Sequence, residues 1–147
     1  MRLRLTYSAR EWYTDCMIDV ELVYLEKARE SLESAQAELI NHRFNSSANR
    51  SYYACFQAAI YALVRAGIGP RRADGQWGHE FVHGQFNGEL INRRHLYPSQ
   101  LRGTLPQNFR LRQAADYGLD RVTEVRGARA VSRAQEFVEA VEREGGV

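Results

Sequence analysis

The stretch Asn49 to Gly67, NRSYYACFQAAIYALVRAG, limits the fold more than any other part of the chain. Tyr52, Phe56, Ala59, Ile60, Leu63 and Val64 spread around most of its circumference when it is wound as a helix. A helix that is apolar nearly all round is buried on more than one side. In a small bundle, one side then faces the core and another faces a partner subunit. Against this background stands a polar line of Arg50, Tyr53 and Gln57. At about 100° per residue, Arg50 and Gln57 share a face and lie roughly 10 Å apart. Either that line occupies a cleft at the subunit junction, or Arg50 snorkels at the helix start and Gln57 satisfies a buried amide.

The rest of the chain also reads as helical. From Met17 onward, Leu22, Leu25, Ala28, Leu32, Ala35 and Leu39 recur at spacings of three and four, which marks a long amphipathic helix. Residues 1–16 do not share this period, so they form an extension, or Met17 is the natural start. Asn45, Ser46 and Ser47 are good N-cap residues and place the start of the second helix near Ser47, with its stop at Gly67. A glycine-rich loop leads to a third helix over roughly His79 to Ile91, then to a connection with a short helical turn after Pro98. Thr104 and Gln107 resemble a capping box, with Pro106 tolerated in the first turn, and the fourth helix ends at Gly118. Thr123 caps a last helix whose apolar stripe is Val131, Ala134, Phe137, Val138 and Val141. No segment alternates convincingly as a strand. The expected fold is all-α, an up-and-down antiparallel bundle of about five helices in one domain, residues 17–147.

A net charge of +2 gives no global basic field that would argue for nucleic acid. Within that balance Lys27 is the single lysine. Arginine suits bidentate contact with phosphate or carboxylate, and it is equally what a GC-rich genome would encode. Cys16 and Cys55 are too few for a disulfide framework or a zinc site, and reduced thiols suit the cytoplasm. No window reaches the length of a membrane span, so no membrane partner is expected. His79 and His83 are four apart and share a face. That spacing could serve two metal ligands, but no third ligand is apparent, so neither metal nor cofactor is expected.

NRSYYACFQAAIYALV resembles the second long helix of HEPN domains (higher eukaryotes and prokaryotes nucleotide-binding), whose usual form reads like RAYYAxFHAAxALL. RLRQAADYG, from Arg110 to Gly118, resembles their LRxxADY segment. WGHEFVHGQF resembles the opening of their third helix, and SRAQEFVEAV their closing helix. The four occur in the right order, and the resemblance spans Ile18 to Val141.

The resemblance implies a helical bundle that commonly forms a homodimer, here through residues 47–66. Many HEPN proteins are metal-independent ribonucleases, among them toxins paired with an antitoxin and members of antiviral systems. Their signature is an arginine followed, after four to six residues, by a histidine. Arginine can stabilise charge developing on a phosphate, and histidine can move a proton to or from the ribose 2′-hydroxyl. Arg50 matches the arginine, but Gln57 stands where the histidine belongs. Glutamine cannot act as a general acid or base near neutral pH. The expectation is an RNA- or nucleotide-phosphate-binding protein of a toxin–antitoxin or defence module, with weak or absent ribonuclease activity. The alternative is a non-catalytic dimeric interaction module. The candidate site comprises Arg50, Tyr53, the degenerate position Gln57 and, as a displaced base, His79. Arg50 and Arg112 are the expected phosphate ligands, with Asp116 and Tyr117 in support. Asp116 either pairs with Arg112 one turn away or holds Arg50 in place. The expected protein partner is an antitoxin or a small nucleotidyltransferase.

Overall fold

The computed structural model describes the backbone of residues 9–145 and the side chains of residues 20–144. Five α-helices follow one another: α1 (Ala9–Ile40), α2 (Phe44–Arg65), α3 (His79–Gln85), α4 (Thr104–Tyr117) and α5 (Glu124–Gly145). No strand occurs among the described residues. The helix expected from Met17 begins earlier, at Ala9. The expected extension over residues 1–16 lies largely outside the described residues: of it, only the backbone of 9–16 is described, as part of α1.

The all-round apolarity of α2 has its explanation within one chain. It packs against α1, α4 and α5. Ala48, Tyr52, Ala54, Cys55, Ala58, Ala59 and Leu63 are wholly inaccessible. Most of the segment expected to meet a partner subunit is thus spent on the chain's own core, and a second copy would find mainly its polar line. The stripe of α5 fills the other side of that core, with Ala134, Phe137 and Val141 also inaccessible. Each large apolar side chain buried in this way stabilises the fold by about 1.5–3 kcal/mol.

Both ends of the α1–α2 pair use the same device. At the end of α2, Gly67 has φ +81. There the Ile68 N–H donates to Leu63 O (2.9 Å) and the Gly67 N–H to Val64 O (3.0 Å). This is a Schellman motif with glycine in the left-handed position. At the end of α1, Arg43 N–H donates to Glu38 O (2.9 Å) and His42 N–H to Leu39 O (3.1 Å). Here His42, not glycine, takes φ +58. α2 starts at Phe44, ahead of the expected cap near Ser47. Asn45 and Ser47 serve tertiary contacts instead: Asn45 Oδ1 accepts from Val122 N–H (2.9 Å) and the Ser47 hydroxyl donates to Ala35 O (2.9 Å).

The expected third helix divides. After Gln85 the chain continues as a π-helical segment, Phe86–Arg93. A π ladder bonds i to i+5, which brings Phe86 and Ile91 to one face, and both are buried with Leu90. A 3-10 turn follows Pro98, over Ser99–Gly103. Thr104 opens α4 but makes no capping hydrogen bond, because Gly103 occupies the cap position and Thr104 is buried. Thr123 does cap α5, its hydroxyl accepting from Arg126 N–H (3.3 Å).

Candidate functional site

The N-terminal half of α2 and the C-terminal half of α4 hold a closed ring of polar groups. The Arg50 guanidinium donates to Asn49 Oδ1 from Nε (3.0 Å) and Nη2 (2.8 Å). The Asn49 amide donates to both oxygens of Asp116, at 3.3 and 3.1 Å. Asp116 Oδ2 lies 3.5 Å from Arg112 Nε. Arg112 Nη1 donates to the Tyr53 hydroxyl (3.0 Å). The ring closes where the Arg50 guanidinium sits 5.1 Å from the centroid of the Tyr53 ring, a cation–π contact. Asp116 therefore meets both expected partners, Arg112 directly and Arg50 through Asn49. Asn49 is the member that sequence reasoning missed; its only signal was adjacency to Arg50.

The two arginines differ in what remains free. Arg112 is only 8% exposed, and its guanidinium lies 5.5–5.7 Å from the rings of Phe109, Tyr53 and Tyr52. It orders the ring from behind and does not offer itself to a ligand. Arg50 lines an open depression of about 460 Å³ with Ser34, Glu38, Asn49 and Asp116. The two carboxylates there are engaged: Asp116 as above, and Glu38 by Arg43 Nε at 2.6 Å, a hydrogen bond that holds the Glu38 carboxyl below its ordinary range. The Arg50 guanidinium has only a neutral amide oxygen as hydrogen-bond acceptor among the described residues. Tyr117 is 78% exposed and makes no hydrogen bond to the ring among the described residues.

Gln57 shares the face of Arg50, and that face lies along α1. With the amide turned so that its nitrogen meets acceptors, Gln57 donates to Lys27 O (2.9 Å), Ser31 Oγ (2.7 Å) and Tyr53 O (3.1 Å). It pins α2 to α1.

His79 and His83 converge on a different atom. The Tyr52 hydroxyl lies 2.6 Å from His79 Nδ1 and 3.0 Å from His83 Nε2. Burial lowers the pKa of both histidines, that of His83 to about 4 with help from His79, and that of His79 with help from Arg112. Both rings are thus neutral at pH 7. The phenol can donate to one ring nitrogen and accept N–H from the other. Tyr52 itself is wholly buried, and burial raises its pKa far above the ordinary tyrosine value. His79 lines a second depression, of about 560 Å³, with Arg71, Arg72, Gln76, Phe109 and Gln113. The structure therefore sets Arg50 and His79 in separate depressions, with Arg112 packed between them. No group of three or more metal-ligating side chains occurs among the described residues, and no described helix is long and apolar enough to cross a membrane.

Comparison with known proteins gives this arrangement a context. The family model described as "HEPN domain" matches residues 22–144. The chain is 25% identical over 122 residues to the "Putative toxin MJ0605" of Methanocaldococcus jannaschii, a match covering 81% of this chain and 84% of that protein. The order of helices, the polar ring on α2 and the extent of the family match lead to one conclusion: this chain belongs to the HEPN domain family.

Proposed function

We propose that this protein is a toxin-like HEPN protein that holds an RNA phosphate at Arg50 and cleaves RNA weakly or not at all. One observation carries the proposal. Arg50 is oriented by Asn49 and by the Tyr53 ring in an open depression, yet position 57 offers an amide fastened to α1. A fixed guanidinium suits a phosphate oxygen. An amide carries no proton at neutral pH, and lacking a general acid or base costs about 10²- to 10⁴-fold in rate. His79 is a proton carrier near α2 that also lines a depression, and its Nδ1 is committed to Tyr52. It serves as a displaced base only if the RNA reaches its depression.

Self-association through α2 would use the polar line of Asn49, Arg50, Tyr53 and Gln57, since the apolar residues of α2 are buried. An antitoxin or a small nucleotidyltransferase is the protein partner that fits a toxin-like role in the cytoplasm. The test is binding of a labelled single-stranded RNA to wild type and Arg50→Ala. The variant is expected to lose most of its affinity. A non-catalytic interaction module is favoured instead by the internal pairing of Arg112 with Tyr53 and Asp116, and unchanged binding by Arg50→Ala would select it.

A further inference from the structure

α4 and α5 meet along an open groove of about 310 Å³, lined by Gln107, Arg110, Leu111, Arg126, Arg129 and Arg133. No carboxylate lines it. None of its four arginines makes an ion pair among the described residues, whereas Arg29, Arg43, Arg94 and Arg112 each have a carboxylate within 4.0 Å. Uncompensated like charges repel one another, and a bound polyanion relieves that repulsion.

One of the four is held in place from within the core. Arg133 Nε donates to Asn108 Oδ1 (2.9 Å). Asn108 is wholly buried, and its amide donates to Ala130 O (3.2 Å) and toward Cys55 Sγ (3.6 Å). A buried asparagine thus fixes the direction of a groove guanidinium, which reduces the entropy lost when that guanidinium meets an anion.

The shape of the cluster narrows the ligand. Arg126, Arg129 and Arg133 follow one another along one face of α5, a line about 10 Å long at 1.5 Å per residue. Arg110 is exposed on α4, one turn from Gln113, which lines the depression of His79 together with Arg71 and Arg72. Basic side chains therefore extend from the groove across α4 toward the depression that His79 lines. A line of this length suits a chain of phosphates better than a single anion. Leu111, the apolar lining residue, is only 4% exposed, so the groove offers little of the buried apolar anchoring on which peptide interfaces depend. With no aromatic side chain in its lining, it has no platform for stacking bases.

We propose that the α4–α5 groove is a sequence-independent contact for the phosphodiester backbone of RNA, which rests on the RNA-binding role proposed for Arg50 and leads the strand over Arg110 toward His79. The test is fluorescence anisotropy with a 5′-labelled oligouridylate of about 15 nucleotides, titrated with salt. Arg126→Gln/Arg129→Gln is compared with wild type and with Arg93→Gln/Arg143→Gln, which removes the same charge from exposed sites elsewhere. Thermal melts of all three establish that each is folded. The groove variant is expected to bind at least about tenfold more weakly. Its slope of log K against log salt should be shallower by about 1.4, since each single-strand phosphate neutralised by an arginine contributes about 0.7, and the control should keep the wild-type slope. Equal losses in both variants, or none in the groove variant while Arg50→Ala still weakens binding, would overturn the groove and leave the Arg50 site standing. A labelled deca-glutamate peptide that binds the groove more tightly than the RNA would assign it to an acidic protein partner and overturn the RNA contact. Wild type that binds no RNA would remove both.

Discussion

The Tyr52 hydroxyl sits 2.6 Å from Nδ1 of His79, so a fully buried phenol on α2 fixes the first residue of α3. The same oxygen meets His83 one turn later, at 3.0 Å. Two neutral imidazoles and one phenol thereby close the junction between a core helix and a short surface helix.

Protonation should open that junction. An unfolded histidine titrates near pH 6.5, whereas folded His83 titrates at about 4 and folded His79 below its ordinary value. Between those values the unfolded chain binds more protons than the folded one, so stability rises with pH and falls as pH drops from about 7 toward 4. Thermal melts at pH 7.5 and 5.0 should show a lower Tm at pH 5.0, with a smaller difference in His83→Gln. An unchanged difference in the variant would mean that other groups set the acid sensitivity.

Asn108 links the core to the basic groove. Asn108→Ala leaves the Ala130 carbonyl without its side-chain donor and Arg133 without its acceptor. Leaving buried polar groups unpaired costs about 1–3 kcal/mol. Urea denaturation should show a midpoint reduced accordingly, and Asn108→Asp, which keeps the acceptor for Arg133, should recover part of the loss only if that contact matters.

The sequence made the helical order legible, because periodicity and glycine placement are local signals. Gly67 marks a left-handed position that glycine adopts without strain, and the helix expected to stop there does so. His42 adopts the same conformation at the end of α1 without any residue type that advertises it, so that turn was not legible. The polar cluster was legible by residue and not by connection. Arg50, Tyr53, Arg112 and Asp116 were all expected, but that Asn49 joins two of them depends on how α2 packs on α4. The apolar circumference of α2 invited a subunit interface, because a helix wheel cannot distinguish burial by other helices of one chain from burial by a second copy. The π-helical segment had no signal, since helical spacing of apolar residues does not distinguish an i+4 ladder from an i+5 ladder.

The two left-handed positions make a paired prediction. Gly67→Ala forces a side chain into φ +81, although nothing lies within 4 Å of the added carbon, so the cost is one of backbone strain, about 1–2 kcal/mol. His42→Gly should relieve the same strain at φ +58, partly offset by the entropy of a new glycine of about 0.5–1 kcal/mol. It should leave stability unchanged or slightly raised. Chemical denaturation of both variants checks the contrast, and equal destabilisation would argue against strain as the cause.

The central claim, an ordered phosphate-binding arginine without a proton carrier beside it, is tested most directly by cleavage of a labelled single-stranded RNA in EDTA. The proteins are wild type, Gln57→His and Gln57→His/Arg50→Ala. The acceptors that hold Gln57, Lys27 O and Ser31 Oγ, could hold one ring N–H of a histidine and leave the other nitrogen free to exchange a proton. The account predicts feeble or no cleavage by wild type, a clear gain in Gln57→His approaching the roughly 10²-fold or more that a general acid–base supplies, and loss of that gain in the double variant. Robust wild-type cleavage that requires Arg50 would contradict it and move the proton transfer to His79.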